Sequence, residues 1–280
     1  MTIQLIINAD DFGRTPGVST GIREAHLRGI VTSTTAMMNM PDMDEVLRQV
    51  MRDCPRLGLG VHLVLTCSVP LLPHAQVKSL TDGKGNFYIL NRLVRQLSSL
   101  DLAEVRAEWR TQIEKFVSVT GLAPDHLDSH HHSSYYPPLF RIMLELAREY
   151  QCAIRLPFND KESESFGDLP ADLAKQALQE AHHLLAEFRP PCPDHVITSF
   201  YDLPAPRPAL VDILEHLSDG VTEIMCHPGI VDNELLCSSS YNSQRQAELT
   251  ALTDAAVAEK IKARGIELIN FSQLRETHNG

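Results

Sequence analysis

The sequence lacks the features that mark several large classes of protein. No run of apolar residues is long enough to cross a bilayer, so we expect no membrane segment. Basic residues are scarce, since 25 Lys and Arg stand against 36 Asp and Glu, and the net charge is −11. This balance argues against nucleic acid or an anionic membrane surface as the main partner. No basic leader precedes the first apolar run, so we also expect no signal peptide.

Paired cysteines are also absent. None of the six cysteines forms a C-x-x-C pair, and they are scattered over the chain: Cys54, Cys67, Cys152, Cys192, Cys226 and Cys237. This scatter is typical of free thiols in a reducing compartment, and it argues against a disulfide framework or a structural zinc site made of cysteines. We therefore expect a cytoplasmic protein.

Short apolar segments alternate with helical patterns along the whole chain. Residues 5–7 are apolar without alternation, which indicates a strand buried on both faces. The repeated order of strand and helix predicts parallel strands joined by right-handed crossovers. Seven or eight such units in 280 residues predict a single α/β domain over residues 1–280, a distorted (β/α) barrel of the TIM type, whose usual size is about 250 residues.

An open, doubly wound sheet is the alternative fold. The first strand is not followed by G-x-G-x-x-G, which weakens the nucleotide-binding version of that fold. Three further segments carry specific predictions. Residues 66–86 should form a loop over one face with a small hairpin, residues 230–243 a loop, and residues 244–264 one long helix.

The residues best suited to chemistry follow the predicted strands. They lie at the carboxyl ends of predicted strands one (residues 5–7), three (57–61), four (125–129), five (152–156) and seven (221–226): Asp10, Asp11, His62, Asp128, His130, His131, His132, Arg155 and His227. In a β/α barrel these strand ends converge on one face, where active sites lie. A carboxylate and two histidines from three strand ends predict a divalent-metal site with open coordination positions.

The adjacent aspartates need separate partners, because neighbours in a strand point to opposite faces. One could bind the metal, while the other takes a proton from metal-bound water. Each residue also has an ordinary structural interpretation. Asp10-Asp11-Phe12-Gly13 suits a turn, and His62 could be a core histidine bound to a backbone carbonyl. Of the three consecutive histidines, at most one or two can face a common ion.

Five segments of the chain resemble the YdjC-like carbohydrate deacetylases, the group that includes chitooligosaccharide deacetylase. They lie in the expected order and span most of the chain: residues 7–13 (INADDFG), 29–36 (GIVTSTTA), 60–66 (GVHLVLT), 126–132 (HLDSHHH) and 225–229 (MCHPG).

The resemblance implies a distorted β/α barrel and one divalent metal ion, Mg²⁺ or Zn²⁺, held by Asp11, His62 and His130. It also implies that Asp10 is the general base and His227 the general acid. The implied reaction is hydrolysis of the N-acetyl group of an amino sugar or chitooligosaccharide to acetate and a free amine. The family pattern further implies a protein that can form a homodimer.

The resemblance also implies, by analogy with related polysaccharide deacetylases, that Arg155 is the partner that orients Asp10. Arg155 is also the one basic side chain at the strand ends, which disfavours a hydrolase of phosphoesters.

Two further enzymatic functions are alternatives: a hydrolase of a non-sugar amide, and an iron oxygenase with two histidines and one carboxylate. A metal- or sugar-binding protein without catalysis is the alternative outside the enzymes, but it would need Asp10 or His227 to be missing, and both are present.

Overall fold

A curled sheet of parallel strands forms the centre of the molecule. The computed structural model describes residues 2–157, 171–201 and 206–278. The strands are β1 Ile3–Phe12, β2 Ser33–Ala36, β3 Gly58–Leu63, β4 His126–Ser129, β5 Ala153–Ile154, β6 His195–Ile197, β7 Gly220–Cys226 and β8 Glu267–Leu268. Their order across the sheet is β5-β4-β3-β2-β1-β7-β6, and β8 pairs with β1. This arrangement confirms the predicted α/β fold of the barrel type.

The barrel is distorted because its two edges do not form a strand ladder. Among the described residues, the edge strands β5 and β6 are not paired with each other. One backbone hydrogen bond joins β5 to the segment before β6, in which the N–H of Ile154 donates to the carbonyl of Pro191 at 3.0 Å. Strand β8 occupies the same side of β1 as β2, since β7 pairs along the other side from Ile3 to Ala9. The sheet is therefore a partial barrel whose strands share one direction.

Strand β1 runs through the middle of the core. Leu5, Ile6 and Ile7 are fully buried. A strand with neighbours on both sides and covered faces is expected to be continuously apolar, as this one is. Its carboxyl end therefore delivers the side chains that follow into the interior of the protein.

Helices follow the strands and pack against the sheet. They are α1 Pro16–Leu27, α2 Met43–Asp53, α3 Leu90–Gln96, α4 Leu102–Thr120, α5 Pro137–Tyr150, α6 Ala171–Phe188, α7 Pro206–His216, α8 Asn233–Ser238, α9 Ser243–Leu252, α10 Ala255–Ala263 and α11 Phe271–His278. Helix α4 packs against β3 and α5 against β4. Helix α4 begins where the Asp101 carboxylate accepts the N–H of Ala103. It ends at Thr120 and is followed by Gly121, whose left-handed φ of 71° favours glycine.

Residues 66–86 contain the predicted small hairpin only in its shortest form. They form two short 3₁₀ helices, His74–Gln76 and Lys78–Leu80, and a single antiparallel bridge between Thr81 and Phe87. The backbone of this segment is bound by α4 instead of by a second strand. The carboxylate of Glu108, fully buried, accepts the N–H groups of Leu71 and Leu72, each at 2.9 Å.

Residues 244–264 differ from the prediction, because they form two helices and not one. Helix α9 ends at Leu252, and the Asp254 carboxylate accepts the N–H of Ala256 at 2.8 Å to begin α10. Aspartate favours this capping position over a helix interior. The same chemistry places α8 inside the predicted loop, where the Asp232 carboxylate accepts the N–H of Leu235 at 2.7 Å.

None of the helices in the described ranges is long and apolar enough to cross a membrane. The polar sequence of residues 159–170 predicts a loop, and this segment lies outside the described residues.

Candidate metal and catalytic site

Two adjacent carboxylates lie at the carboxyl end of β1. Asp10 and Asp11 are 2% and 1% exposed. The pairing of β1 with β2 shifts between Ala9 and Phe12, and Asp11 has a left-handed φ of 70°. Few residues other than glycine adopt this conformation, although aspartate tolerates it better than most. This irregularity lets the two carboxylates reach different partners, as their adjacency in a strand predicts.

Asp11 lies beside the two histidines that were expected to join it. Its Oδ1 is 2.9 Å from Nδ1 of His130 and 3.4 Å from Nε2 of His62, and all three side chains are buried. Neither contact gives Asp11 Oδ1 a hydrogen bond, so that buried oxygen has no hydrogen-bond partner in the described part of the chain. Asp11 Oδ1, His130 Nδ1 and His62 Nε2 thus converge without hydrogen bonds between them. A cation that bound all three atoms would lie about 2.0–2.2 Å from each. One carboxylate and two imidazoles are a donor set that fits a divalent metal.

The His62 ring is held from its far side. Its Nδ1 lies 2.6 Å from Oδ1 of Asp128 and 3.3 Å from Oγ1 of Thr35. A proton on Nδ1 would leave Nε2 free to bind an ion, the arrangement that usually orients a metal-binding histidine. Burial lowers the pKa of His62, but the carboxylates of Asp128, Asp11 and Asp10 outweigh it and raise that pKa to about 10. The surroundings of His62 thus stabilise positive charge.

One of the three consecutive histidines faces this group. His130 lies beside Asp11, whereas His131 Nδ1 is 2.9 Å from Oγ1 of Thr66 and the His132 ring stacks on Tyr135 at 4.6 Å. His131 and His132 both have left-handed backbones, with φ of 54° and 50°. These turns point the three side chains in different directions, within the limit of one or two that the sequence allows.

Asp10 has an entirely different partner, the guanidinium of Arg155. Nη1 and Nη2 of Arg155 donate to the two oxygens of Asp10 at 2.7 and 2.6 Å. The same guanidinium contacts Asp128 Oδ2 at 2.9 Å and Glu223 Oε1 at 2.8 Å. Burial alone would raise the pKa of Asp10, but Arg155 outweighs it and keeps that pKa well below its usual range.

Asp10, His62 and Asp128 also lie close enough together to suggest a cation site. The Arg155 guanidinium already lies between the two carboxylates and neutralises them, so this second group does not need a metal ion. Since Arg155 is bound by three carboxylates, it is not free to hold a substrate phosphate either.

His227 completes the predicted set. Its Nε2 lies 3.9 Å from Oδ2 of Asp10, and its side chain is 12% exposed. Its backbone N–H donates to Oε2 of Glu248 at 2.5 Å, and its ring meets Tyr201 and Tyr241 edge-on, with centroids 5.3 and 5.8 Å away. Burial lowers the pKa of His227 to about 4, although Asp10 and Asp11 oppose that effect. The imidazole is therefore neutral at pH 7.

The structure thus brings Asp10, Asp11, His62, His130, Arg155 and His227 together at one end of the sheet. Several of their neighbours have no predicted role. Arg245 binds Asp11, Glu223 binds Arg155, and Glu248 accepts both the N–H of His227 and the hydroxyl of Tyr241. All three are buried charged residues within helices or strands. Sequence patterns do not show which charged residues are buried, so these three could not be predicted from the sequence.

Comparison with known proteins places the chain in a family. The family model of YdjC-like proteins matches residues 4–263. The chain belongs to the YdjC-like family. It is 36% identical to a carbohydrate deacetylase of Thermoanaerobacter pseudethanolicus over 271 residues, covering 97% of this chain and 99% of that protein. It is 38% identical to a carbohydrate deacetylase of Brevibacillus brevis over 273 residues, covering 97% of this chain and all of that protein (100%).

A solved structure of another protein resembles this YdjC-like chain over its whole length. It is an Enterococcus faecalis protein provisionally named for cellobiose-phosphate cleavage, with 37% sequence identity and a TM-score of 0.84, covering 98% of this chain and 99% of that one. The resemblance seen in five sequence segments is therefore confirmed as family membership.

Proposed function

We propose that this YdjC-like protein is a metal-dependent carbohydrate deacetylase. It hydrolyses the N-acetyl group of an amino sugar or chitooligosaccharide to acetate and a free amine. The observation that carries the proposal is the convergence of two groups, Asp11 with His62 and His130, and Asp10 with His227, at one end of the sheet. The relatives named carbohydrate deacetylases support the substrate class.

Asp11, His62 and His130 are proposed to hold one divalent ion, Zn²⁺ or Mg²⁺. Two imidazoles favour zinc or another transition ion, and the family resemblance adds magnesium. When bound, the ion supplies polarisation of the acetyl carbonyl and of a water molecule, and it stabilises negative charge on the carbonyl oxygen.

Asp10 is proposed to be the general base. Arg155 binds both of its oxygens, which fixes the carboxylate and keeps it ionised. The carboxylate takes one proton from the attacking water, and the remaining hydroxide oxygen bonds to the acetyl carbon. Arg155 is thus a positioning residue, since it contacts Asp10 and not the reacting atoms.

His227 is proposed to be the general acid that protonates the departing amine as the carbon–nitrogen bond breaks. Its lowered pKa means that it must first receive a proton. Oδ2 of Asp10, 3.9 Å from Nε2 of His227, is the nearest proposed source. The proton that Asp10 takes from water would then pass to His227 and on to the amine nitrogen, which balances the hydrolysis without another proton donor.

An aromatic surface beside His227 supports a carbohydrate substrate. Tyr201 is 46% exposed. One face of its ring stacks on Tyr241, with centroids 4.3 Å apart and planes at 12°. The exposure of Tyr201 leaves apolar ring surface next to the proposed acid, where the apolar face of a sugar can pack.

The test is acetate release from a panel of N-acetylated sugars. Metal-stripped protein is assayed with Zn²⁺, Mg²⁺, Mn²⁺ or Co²⁺ added back. We expect release that depends on metal and disappears in His62→Ala but persists in His26→Ala. His26 lies on helix α1, and its Nδ1 is 2.8 Å from the carbonyl oxygen of Val31. Stoichiometric metal binding without release from any sugar would contradict the substrate class.

Three wider proposals accompany this function. We propose that residues 1–280 form one domain, because one sheet order includes strands from both ends of the described chain. The six free cysteines support a cytoplasmic location. The family resemblance supports a homodimer, and the net charge of −11 supports a protein without a nucleic-acid partner.

A further inference from the structure

A buried arginine from helix α9 contacts Asp11. Nη2 of Arg245 lies 2.5 Å from Oδ2 of Asp11, and the side chains are 4% and 2% exposed. This is a charge-assisted hydrogen bond in a place that solvent scarcely reaches, where such bonds are strong. Asp11 therefore divides its two oxygens: Oδ2 faces Arg245, and Oδ1 faces His62 and His130.

The backbone around Arg245 fixes where its side chain begins. Its N–H donates to the carbonyl of Asn242 at 3.1 Å, and its carbonyl accepts the N–H of Gly229 at 3.1 Å. Its Nε also donates to the carbonyl of Tyr241 at 3.2 Å. The backbone of Arg245 is thus held between the start of α9 and the loop that follows β7, and the carbonyl of Tyr241 fixes one nitrogen of its guanidinium.

Nη1 of Arg245 is buried and has no hydrogen-bond partner within the described ranges. A residue kept only for packing would not need a charged group with an unsatisfied donor at this position. The contact with Asp11 is what compensates the buried charge.

We propose that Arg245 is a positioning residue for the metal site, which holds Oδ2 of Asp11 so that this carboxylate binds a divalent cation through Oδ1 alone. Three protein atoms then bind the ion, one each from Asp11, His62 and His130, and the other coordination positions stay open for water and substrate. This inference rests on the proposed function, since it requires the metal site.

The test is titration of the metal-free, full-length protein with Co²⁺, whose visible absorption reports the number of ligands around the ion. We expect Arg245→Met to raise the Co²⁺ dissociation constant by about 10–100-fold, the usual effect of losing a group that orients a metal ligand. The intensity of the visible bands should also change, because Asp11 would be free to bind through both oxygens.

Two variants separate positioning from packing and from charge. Arg245→Lys should restore most of the affinity, because a single nitrogen of Arg245 contacts Asp11 and an ammonium can replace it. Arg14→Met removes another cation near the site, whose Nη1 and Nη2 lie 3.8 Å from Sγ of Cys67 and 3.4 Å from the carbonyl of Ser238. It leaves the contacts of Asp11 in place, so it should bind Co²⁺ no more weakly than the wild type.

Each outcome decides the proposal. Wild-type affinity and spectrum in Arg245→Met would overturn it, and so would equal weakening in Arg14→Met, because the effect would then not depend on the contact with Asp11. If Arg245→Met is unfolded without metal, as judged by circular dichroism, Arg245→Gln takes its place with the same expected weakening. A wild-type protein that does not bind Co²⁺ would contradict the metal site and the proposed function together, whereas unchanged binding in Arg245→Met contradicts the role of Arg245 alone.

Discussion

The surroundings of Asp10 and of Asp11 differ sharply, although the two residues are adjacent. Both oxygens of Asp10 are bound by Arg155, whose guanidinium also binds Asp128 and Glu223. Asp11 has one oxygen bound by Arg245, while the other faces two imidazoles and has no hydrogen-bond partner among the residues that the structure describes. Residue type and burial are the same for the two aspartates, so the difference in hydrogen bonding is what supports the proposal that Asp10 transfers a proton and Asp11 binds a cation.

The largest expected effect comes from removing the carboxylate that faces the imidazoles. Asp11→Asn should abolish both stoichiometric Zn²⁺ binding and acetate release, because an amide offers no negative charge to a cation between His62 and His130. Zn²⁺ content after dialysis and acetate release measure the two effects. Asp212→Asn, at an exposed position of α7, is the control and should change neither. Full metal binding in Asp11→Asn would contradict the assignment of the two aspartates.

The next largest effect is expected from removing Arg155, the cation that binds Asp10. Arg155→Met should lower the free energy of unfolding by about 3–5 kcal/mol, because it leaves buried carboxylates uncompensated. Urea unfolding of the metal-free protein measures this change. Arg141→Met removes an arginine that binds Glu187 through two nitrogens at 3.1 and 3.0 Å on the surface, and it should cost at most about 1 kcal/mol. Equal costs for the two variants would show that the Arg155 network contributes no more than a surface ion pair.

Replacing the base should separate metal binding from catalysis. Asp10→Asn should keep its Zn²⁺ and lower kcat for acetate release by at least about 10²-fold, the usual contribution of a general base. The measurement is kcat at saturating substrate and metal, beside the metal content of the same sample. Near full activity with metal still bound would refute the role proposed for Asp10.

The smallest effect is a pH dependence at Glu248, which accepts the N–H of His227. Burial raises the pKa of Glu248 in the folded protein to about 7, above the usual 4.5. The unfolded chain therefore releases this proton first as pH rises, so the group makes the protein less stable as pH increases from about 4.5 to 7.

Glu248→Gln stays neutral at all pH values, so its stability relative to the wild type should improve between pH 5 and pH 8. Urea unfolding at the two pH values checks this expectation, and Glu45→Gln at an exposed position of α2 is the control. A relative stability of Glu248→Gln that is the same or lower at pH 8 would contradict the raised pKa.

The sequence predicts the general architecture because strand and helix patterns are local. Family membership and the α/β barrel-type fold are both confirmed. The proximity of Asp10, Asp11 and His62 also follows from topology, since the carboxyl ends of parallel strands lie at the same edge of the sheet. The roles of these residues in metal binding and proton transfer remain predictions.

Other features depend on contacts that no local pattern contains. The small hairpin predicted in residues 66–86 is present only as one antiparallel bridge between Thr81 and Phe87, because α4 binds the preceding backbone through Glu108. The single helix predicted for residues 244–264 is wrong, because Asp254 caps a second helix. Arg245 and Asp11 are 234 positions apart in the sequence. Their contact depends on how α9 packs against the loop after β7, where the N–H of Gly229 donates to the carbonyl of Arg245.

The most direct test of the division between the two aspartates is a crystal structure of the zinc-loaded protein with anomalous diffraction recorded at the zinc edge. We predict one anomalous peak bound by Asp11 Oδ1, His62 Nε2 and His130 Nδ1, with Arg155 still paired to Asp10. A peak between Asp10, His62 and Asp128, with Arg155 displaced, would contradict the account.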